Sequence, residues 1–234
     1  MSAYLAEFLG TAILILLGDG VVANVVLNKT KGNNSGWVVI SIGWALAVAI
    51  PVFIFGPISG GSFNPALTLA FAVIGKFSWA QVPGYIIAQV LGGIVGGCLV
   101  YLYYKNHFDV TDDADAKRGV FCTAPAIKDT FENFVSEFIG TFILVFSILG
   151  FANTKLAPGL SGFVVGGIIL VIGLCLGGTT GYAINPARDL GPRIAHAILP
   201  IKNKQGSDWG YAWIPVVGPI CGGIVAAVFF KLIF

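Results

Sequence analysis

Two short segments of this 234-residue chain carry the same chemically useful combination: Asn64-Pro65-Ala66 and Asn185-Pro186-Ala187, the second followed at once by Arg188 and Asp189. Asparagine is a good helix N-cap, and proline suits the first helical position, where its missing N–H would have been unpaired anyway. Both motifs could be helix starts and nothing more. Yet an asparagine amide also offers two N–H donors, and a helix N-terminus adds free backbone N–H groups with a positive partial charge. Arg188 brings five further donors on a guanidinium that does not deprotonate. Such a set can bond hydroxyl groups and repel cations. It holds no nucleophile, and no phosphate loop or metal-like Cys/His spacing accompanies it, so neither enzymatic chemistry nor a cofactor is expected.

The elements around the motifs explain why donors would be gathered there. Gly60, Gly61, Ser62 and Phe63 precede the first motif, and Gly181, Tyr182, Ala183 and Ile184 precede the second. These segments read as extended backbone that cannot pair its carbonyls as a helix does, so the carbonyls must face water or protein. After each motif only a short apolar helix follows, 65–75 and 186–198, about half of what a bilayer requires. Two N-termini meeting at the middle of a membrane point to a narrow lumen, with acceptors along its walls and donors at its centre.

Composition supplies the membrane. Hydrophobic residues make up 56% of the chain and charged residues 10%, with 32 glycines, and mean hydropathy is +0.88. That is too little charge to coat a soluble globule, and it excludes a disordered chain, a basic nucleic-acid binder and a disulfide-framed secreted domain. Six spans are expected, Tyr4–Val26, Trp37–Phe55, Val82–Tyr104, Phe134–Asn153, Leu160–Leu176 and Tyr211–Ile233, the first being a span rather than a cleavable signal.

The two halves echo each other. Glu7-Phe8-Leu9-Gly10-Thr11 returns 130 positions later as Glu137-Phe138-Ile139-Gly140-Thr141, and Gly92-Gly93-Ile94-Val95 returns as Gly222-Gly223-Ile224-Val225. The Asn-Pro-Ala motifs are 121 apart. The expected fold class is therefore an all-α membrane protein with six transmembrane helices and two re-entrant half-helices in an inverted repeat. Its first repeat would be 1–104, a solvated connection 105–131 and the second repeat 132–234, in one domain.

On these motifs the chain resembles the aquaporin family, and its glycerol-facilitator branch in particular, from about Tyr4 to the C-terminus. The resemblance implies a tetramer in the plasma membrane with a pore in each subunit and both termini cytoplasmic. It implies passive passage of glycerol, water and small uncharged solutes, with ions and protons excluded, and no nucleic-acid partner. It also assigns an outer constriction to Trp44, Gly173, Tyr182 and Arg188, with Asp189 a further mark of the glycerol branch. Gly173 stands where water-selective members carry histidine, leaving room for a carbon chain. Tyr182 departs from the phenylalanine common in bacterial glycerol facilitators and adds a hydroxyl to that wall. Trp44 and Tyr182 would hold the CH₂ edge of a polyol while Arg188 and backbone carbonyls bond its hydroxyls.

Several polar residues admit more than one role. Glu7 and Glu137 could relay protons, but accepting N–H bonds from the irregular loops is the reading the resemblance also implies. Asp189 is expected to fix a loop or Arg188, Asp19 to be interfacial or loop-supporting, and His196 to be interfacial. An ion- or proton-coupled transporter is the alternative function, because broken helices and inverted repeats describe those as well. The positive-inside rule opposes cytoplasmic termini, placing Lys76, Lys155 and Lys231 on that side against eight cationic residues opposite.

Overall fold

In the computed structural model, which describes residues 1–157 and 159–234, the described residues form helices and connecting turns without strands. The helices are α1 (Ala3–Val26), α2 (Trp37–Ser59), α3 (Pro65–Val73), α4 (Val82–Val110), α5 (Ala114–Phe121), α6 (Thr130–Ala152), α7 (Ser161–Leu176), α8 (Pro186–Ile198) and α9 (Ile214–Ile233). Five of them, α1, α2, α4, α6 and α9, are long and apolar enough to cross a bilayer. Helix α7 has 16 residues, about 24 Å of rise, and is the shortest of the six expected spans. This is a multi-pass membrane protein. Its surface agrees, for Leu46, Ile50, Ile54 and Ile58 expose an apolar stripe along α2 at helical spacing.

The packing pairs corresponding elements. Helix α1 lies against α4 and α2, as α6 lies against α9 and α7; α2 and α7 meet each other; and α8 packs on α4 as α3 packs on α9. Each short helix is therefore held by the last long helix of the other half. Glycines permit the approach. A Cβ on Gly92 would stand 2.3 Å from the Phe8 carbonyl oxygen, and one on Gly222 would stand 2.1 Å from that of Phe138. Both distances are below contact, so only glycine lets these helices close.

The connection 105–131 is solvated only in part: Asp112, Asp113, Asp115 and 126–131 are exposed, but much of the rest is folded against the helices. Helix α4 continues to Val110, and α5 folds back against α1 and α8. The extension rests on bonds to a distant turn, where the Asn28 N–H donates to Thr111 Oγ1 at 2.9 Å and a ring nitrogen of His107 lies 3.0 Å from the Asn28 carbonyl. Phe121, Cys122 and Thr123 are buried, and so is Lys117, whose ammonium donates to the Lys202 carbonyl at 2.6 Å. Lys204 likewise caps the end of α8, donating to the carbonyls of Ala197 and Leu199 at 2.8 and 2.6 Å. Two of the lysines that weigh against cytoplasmic termini are thus committed to internal carbonyls, which weakens their claim on a lipid surface.

Candidate functional site

The short helices α3 and α8 begin at their motifs, each in the same way. Asn64 caps α3 by accepting from Ala66 N–H at 2.9 Å, and Asn185 caps α8 by accepting from Ala187 N–H at 2.9 Å. Pro65 and Pro186 fill the first helical positions. The amide ends then cross over: Asn64 Nδ2 donates to the Ile184 carbonyl at 2.9 Å, and Asn185 Nδ2 donates to the Phe63 carbonyl at 2.8 Å. The two helices meet N-terminus to N-terminus in the interior. Each amide spends one N–H on this tie and keeps one for the space beside it.

The segments ahead of the caps are not extended, as the sequence suggested. Gly60, Gly61 and Phe63 have φ of 86°, 66° and 46°, and Gly181, Tyr182 and Ile184 have φ of 81°, 38° and 42°. For a residue with a Cβ this left-handed conformation costs about 1–2 kcal/mol, so it must be held. Glu7 holds the first segment, accepting from Ser62 N–H at 3.1 Å, Phe63 N–H at 2.7 Å and Ser59 Oγ at 2.6 Å. Glu137 holds the second, accepting from Ala183 N–H at 3.0 Å, Ile184 N–H at 2.8 Å and Thr180 Oγ1 at 2.7 Å. Both carboxylates are fully buried. Phe63 and Ile184 are consequently pinned at both ends, N–H to a glutamate and carbonyl to an asparagine.

Beside these loops lie two cavities. The larger, about 470 Å³, is lined by Gly60, Gly61, Ser62, Phe63 and Asn64, by Ala183, Ile184 and Asn185, and by apolar side chains including Leu67, Phe71 and Ile148. The smaller, about 190 Å³, is lined by Trp37, Ile40, Thr123, Ala124 and Gly181 among others. Trp44, Tyr182 and Arg188 line both and so form the wall between them. Arg188 is the sole charged residue lining either cavity among the described residues. Its guanidinium carbon lies 4.0 Å above the Trp44 ring. Trp44 itself is seated on α1, where a Cβ on Gly18 would stand 2.3 Å from the ring.

Gly173 occupies a different place from the other three. It lines neither cavity, and the room it leaves is filled by Tyr182: a Cβ at 173 would stand 2.8 Å from the phenol Cζ and 2.9 Å from its oxygen. The Tyr182 hydroxyl is buried beside Ser41, away from the lumen, and the ring edge rests on Trp37, whose indole N–H donates to the Gly173 carbonyl at 2.8 Å. The expectation that glycine leaves a gap for carbon is therefore revised. The glycine makes room for a tyrosine in the wall, and it is the ring rather than the hydroxyl that the passage meets.

Three polar residues have fuller roles than the sequence suggested. Asp189 does fix a loop: its Oδ2 accepts from Thr123 N–H at 2.9 Å and Thr123 Oγ1 at 2.7 Å. Its main partner is Arg193, whose Nε donates to Oδ1 at 2.7 Å and whose other nitrogens reach the carbonyls of Thr123 and Ser207 at 2.9 and 2.6 Å. Arg193 is fully buried and was missed; its spacing of four from Asp189 was the available signal. His196 is not interfacial but fully buried, with Nδ1 2.8 Å from Ser207 Oγ and its ring against Phe121. Asp19 is not interfacial either. It is fully buried, 3.5 Å from Arg188.

Spanning helices, two half-length helices meeting head to head, and polar-floored cavities narrowing at a shared wall define a polytopic membrane protein of the channel class. Residues 1–230 match the major intrinsic protein family. The chain belongs to that family, whose members are channels and not enzymes. It is 58% identical over 234 residues to the "Probable glycerol uptake facilitator protein" of Thermotoga maritima, covering all of both chains. It is 53% identical to the glycerol uptake facilitator protein of Bacillus subtilis, covering all of this chain and 85% of that one. Among solved structures it matches the aquaglyceroporin from Plasmodium falciparum with a TM-score of 0.86 at 32% identity, covering 98% of this chain and 95% of the other.

Proposed function

We propose that the protein is a passive channel for glycerol, water and other small uncharged solutes, closed to ions and protons, with its constriction at Trp44, Tyr182 and Arg188 and its centre at Asn64 and Asn185. One observation carries this reading: the two cavities meet at a wall that combines two aromatic faces with one guanidinium and no carboxylate. A polyol passing there lays its carbon edge on the rings and its hydroxyls on Arg188. Farther in, the free N–H of each asparagine and the loop carbonyls replace the water it has shed. The relatives named as glycerol facilitators support glycerol as a solute. Gly173 acts through Tyr182. Pro65, Ala66, Pro186 and Ala187 start the half-helices, and Glu7, Glu137 and Asp189 hold the loops.

Cation exclusion follows from the same parts, since two helix N-termini and Arg188 present positive potential to the lumen. A coupled transporter would need a proton-exchanging or ion-coordinating group in the passage, and among the described residues the lining of the two cavities holds no carboxylate or imidazole. Residues 1–104 and 132–234 form inverted repeats joined by 105–131, the chain assembles as a homotetramer in the plasma membrane, and both termini are cytoplasmic. Stopped-flow light scattering on proteoliposomes tests the function, with glycerol and water expected to equilibrate without any ion gradient. Uphill accumulation of glycerol driven by a sodium or proton gradient would overturn it.

A further inference from the structure

We propose that Asp19 is the counter-ion of Arg188, cancelling the guanidinium's charge at the constriction so that it serves as a hydrogen-bond donor without net charge, and thereby setting the passage's tightness to anions. The proposal rests on the channel reading and deepens it. Asp19 lies on α1, fully buried and outside the lining of both cavities, whereas Arg188 lines both. Asp19 Oδ1 is 3.5 Å from Arg188 Nη1, and Oδ2 has no partner. Among the described residues Arg188 is the one hydrogen-bonding partner of this carboxylate. Burying an acid in this way is costly unless a cation answers it.

The other nearby acid is already taken, since Asp189 is bonded by Arg193 and Thr123. Arg188 and Arg193 are thus each matched by a carboxylate, Asp19 and Asp189 respectively. Without Asp19 the Arg188 guanidinium would face the lumen unmatched. A lone cation in a low-dielectric constriction concentrates anions as strongly as it repels cations. With the carboxylate behind it, Arg188 presents the positive end of a dipole, which suits a neutral hydroxyl compound. Leu149 occupies the matching position on α6, so the acid answers Arg188 and not a need of the repeated scaffold.

The test is Asp19→Asn, which keeps the side chain's size and removes its charge. Chloride entry into proteoliposomes is read with a chloride-quenched dye under a potassium diffusion potential, alongside water and glycerol flux by light scattering. The expected result is a rise in chloride flux of about tenfold or more, the scale on which a focused charge enriches counter-ions, in protein that still conducts water. In an Arg188→Val background the same Asp19→Asn change is expected to add no chloride flux. Parent-like tightness in Asp19→Asn, or an equal leak in the Arg188→Val background, overturns the proposal. If Asp19→Asn does not fold, the pair of changes together decides: folding regained when both charges are absent supports the coupling, and failure to regain it overturns it. A parent protein that conducts neither water nor glycerol defeats the channel reading itself, whereas a conducting parent with a chloride-tight Asp19→Asn defeats this proposal alone.

Discussion

Asn64 and Asn185 each tie down the loop that precedes the other, Asn64 Nδ2 on the Ile184 carbonyl at 2.9 Å and Asn185 Nδ2 on the Phe63 carbonyl at 2.8 Å. The same two carbonyls belong to residues in the left-handed conformation. Each asparagine therefore joins three tasks: it caps its own helix, closes the gap between the two halves, and fixes a strained backbone unit that borders the larger cavity.

Asn64→Ala removes the cap on Ala66 N–H and leaves the Ile184 carbonyl unanswered. A lost cap costs about 1 kcal/mol, and a buried polar group left unsatisfied about 1–3 kcal/mol. Asn64→Asp keeps the cap acceptor but sets a buried, unpaired carboxylate oxygen against the Ile184 carbonyl where the crossing donor was, so its stability is expected below the parent's. Thermal unfolding in detergent gives the order. Equal midpoints for Asn64→Asp and the parent would show that the crossing bond carries no weight.

Tyr182→Phe deletes a hydroxyl that is buried beside Gly173 and Ser41, outside the lumen. The ranking of polyols by flux is expected to stay as in the parent. Gly173→Ala is different, because its Cβ would meet the phenol at 2.8 Å and drive the ring toward the passage. Overpacking of this kind costs about 1–3 kcal/mol, and glycerol flux should fall more than water flux because the wider solute meets the displaced ring first. Parallel light-scattering measurements on the two variants separate the outcomes. A changed polyol ranking in Tyr182→Phe would mean that the hydroxyl turns to the lumen during passage.

Apolar runs and their Gly/Pro breaks made the spans and half-helices readable from sequence, and α8 ends at Ile198 as expected. What escaped reading depends on contacts across long separations. Helix α4 runs to Val110 because its end bonds to the turn at Asn28, and Asp19 finds its cation 169 positions away. Left-handed backbone at Phe63, Tyr182 and Ile184 runs against the preference of those residue types. Only the glutamates and asparagines gathered from elsewhere make it tenable, and no local pattern announces them. The resemblance pointed to Trp44, Tyr182 and Arg188, which share the wall between the two cavities, but not to the burial of Gly173 behind Tyr182.

Glu137→Gln tests whether the buried glutamates hold backbone or move protons. The carboxylate accepts three bonds on two oxygens, and an amide keeps one of those oxygens while turning the other into a donor facing an N–H group. At least one buried donor is then unpaired, at about 1–3 kcal/mol. Lower thermal stability and lower glycerol flux are expected, with parent glycerol transport moving no protons into vesicles that carry a pH-sensitive dye. Proton entry coupled to glycerol in the parent and absent in Glu137→Gln would instead make the residue a relay.

Arg193 is the largest fully buried side chain among the described residues, and its partners define what its loss would do. It joins Asp189 on its own helix to the carbonyls of Thr123, in the connection after α5, and Ser207, in the loop before α9. Asp189 lies next to Arg188, so this cluster also anchors the first turn of α8 from which the guanidinium lining both cavities projects. Arg193→Met keeps much of the length and apolar stem but leaves the Asp189 carboxylate buried with Thr123 alone. Removing one partner of a buried pair costs about 3–5 kcal/mol, chiefly through the charge left behind. Arg193→Met is therefore expected to lower the thermal midpoint sharply, and Arg193→Met combined with Asp189→Asn to recover part of the loss because the stranded charge is gone. The double variant still lacks the bonds to Thr123 and Ser207, so recovery should stay incomplete, and limited proteolysis should cut the 122–129 connection sooner than in the parent. A double variant no more stable than Arg193→Met would show that the guanidinium stabilises the fold through the loop carbonyls and not through its pairing with Asp189.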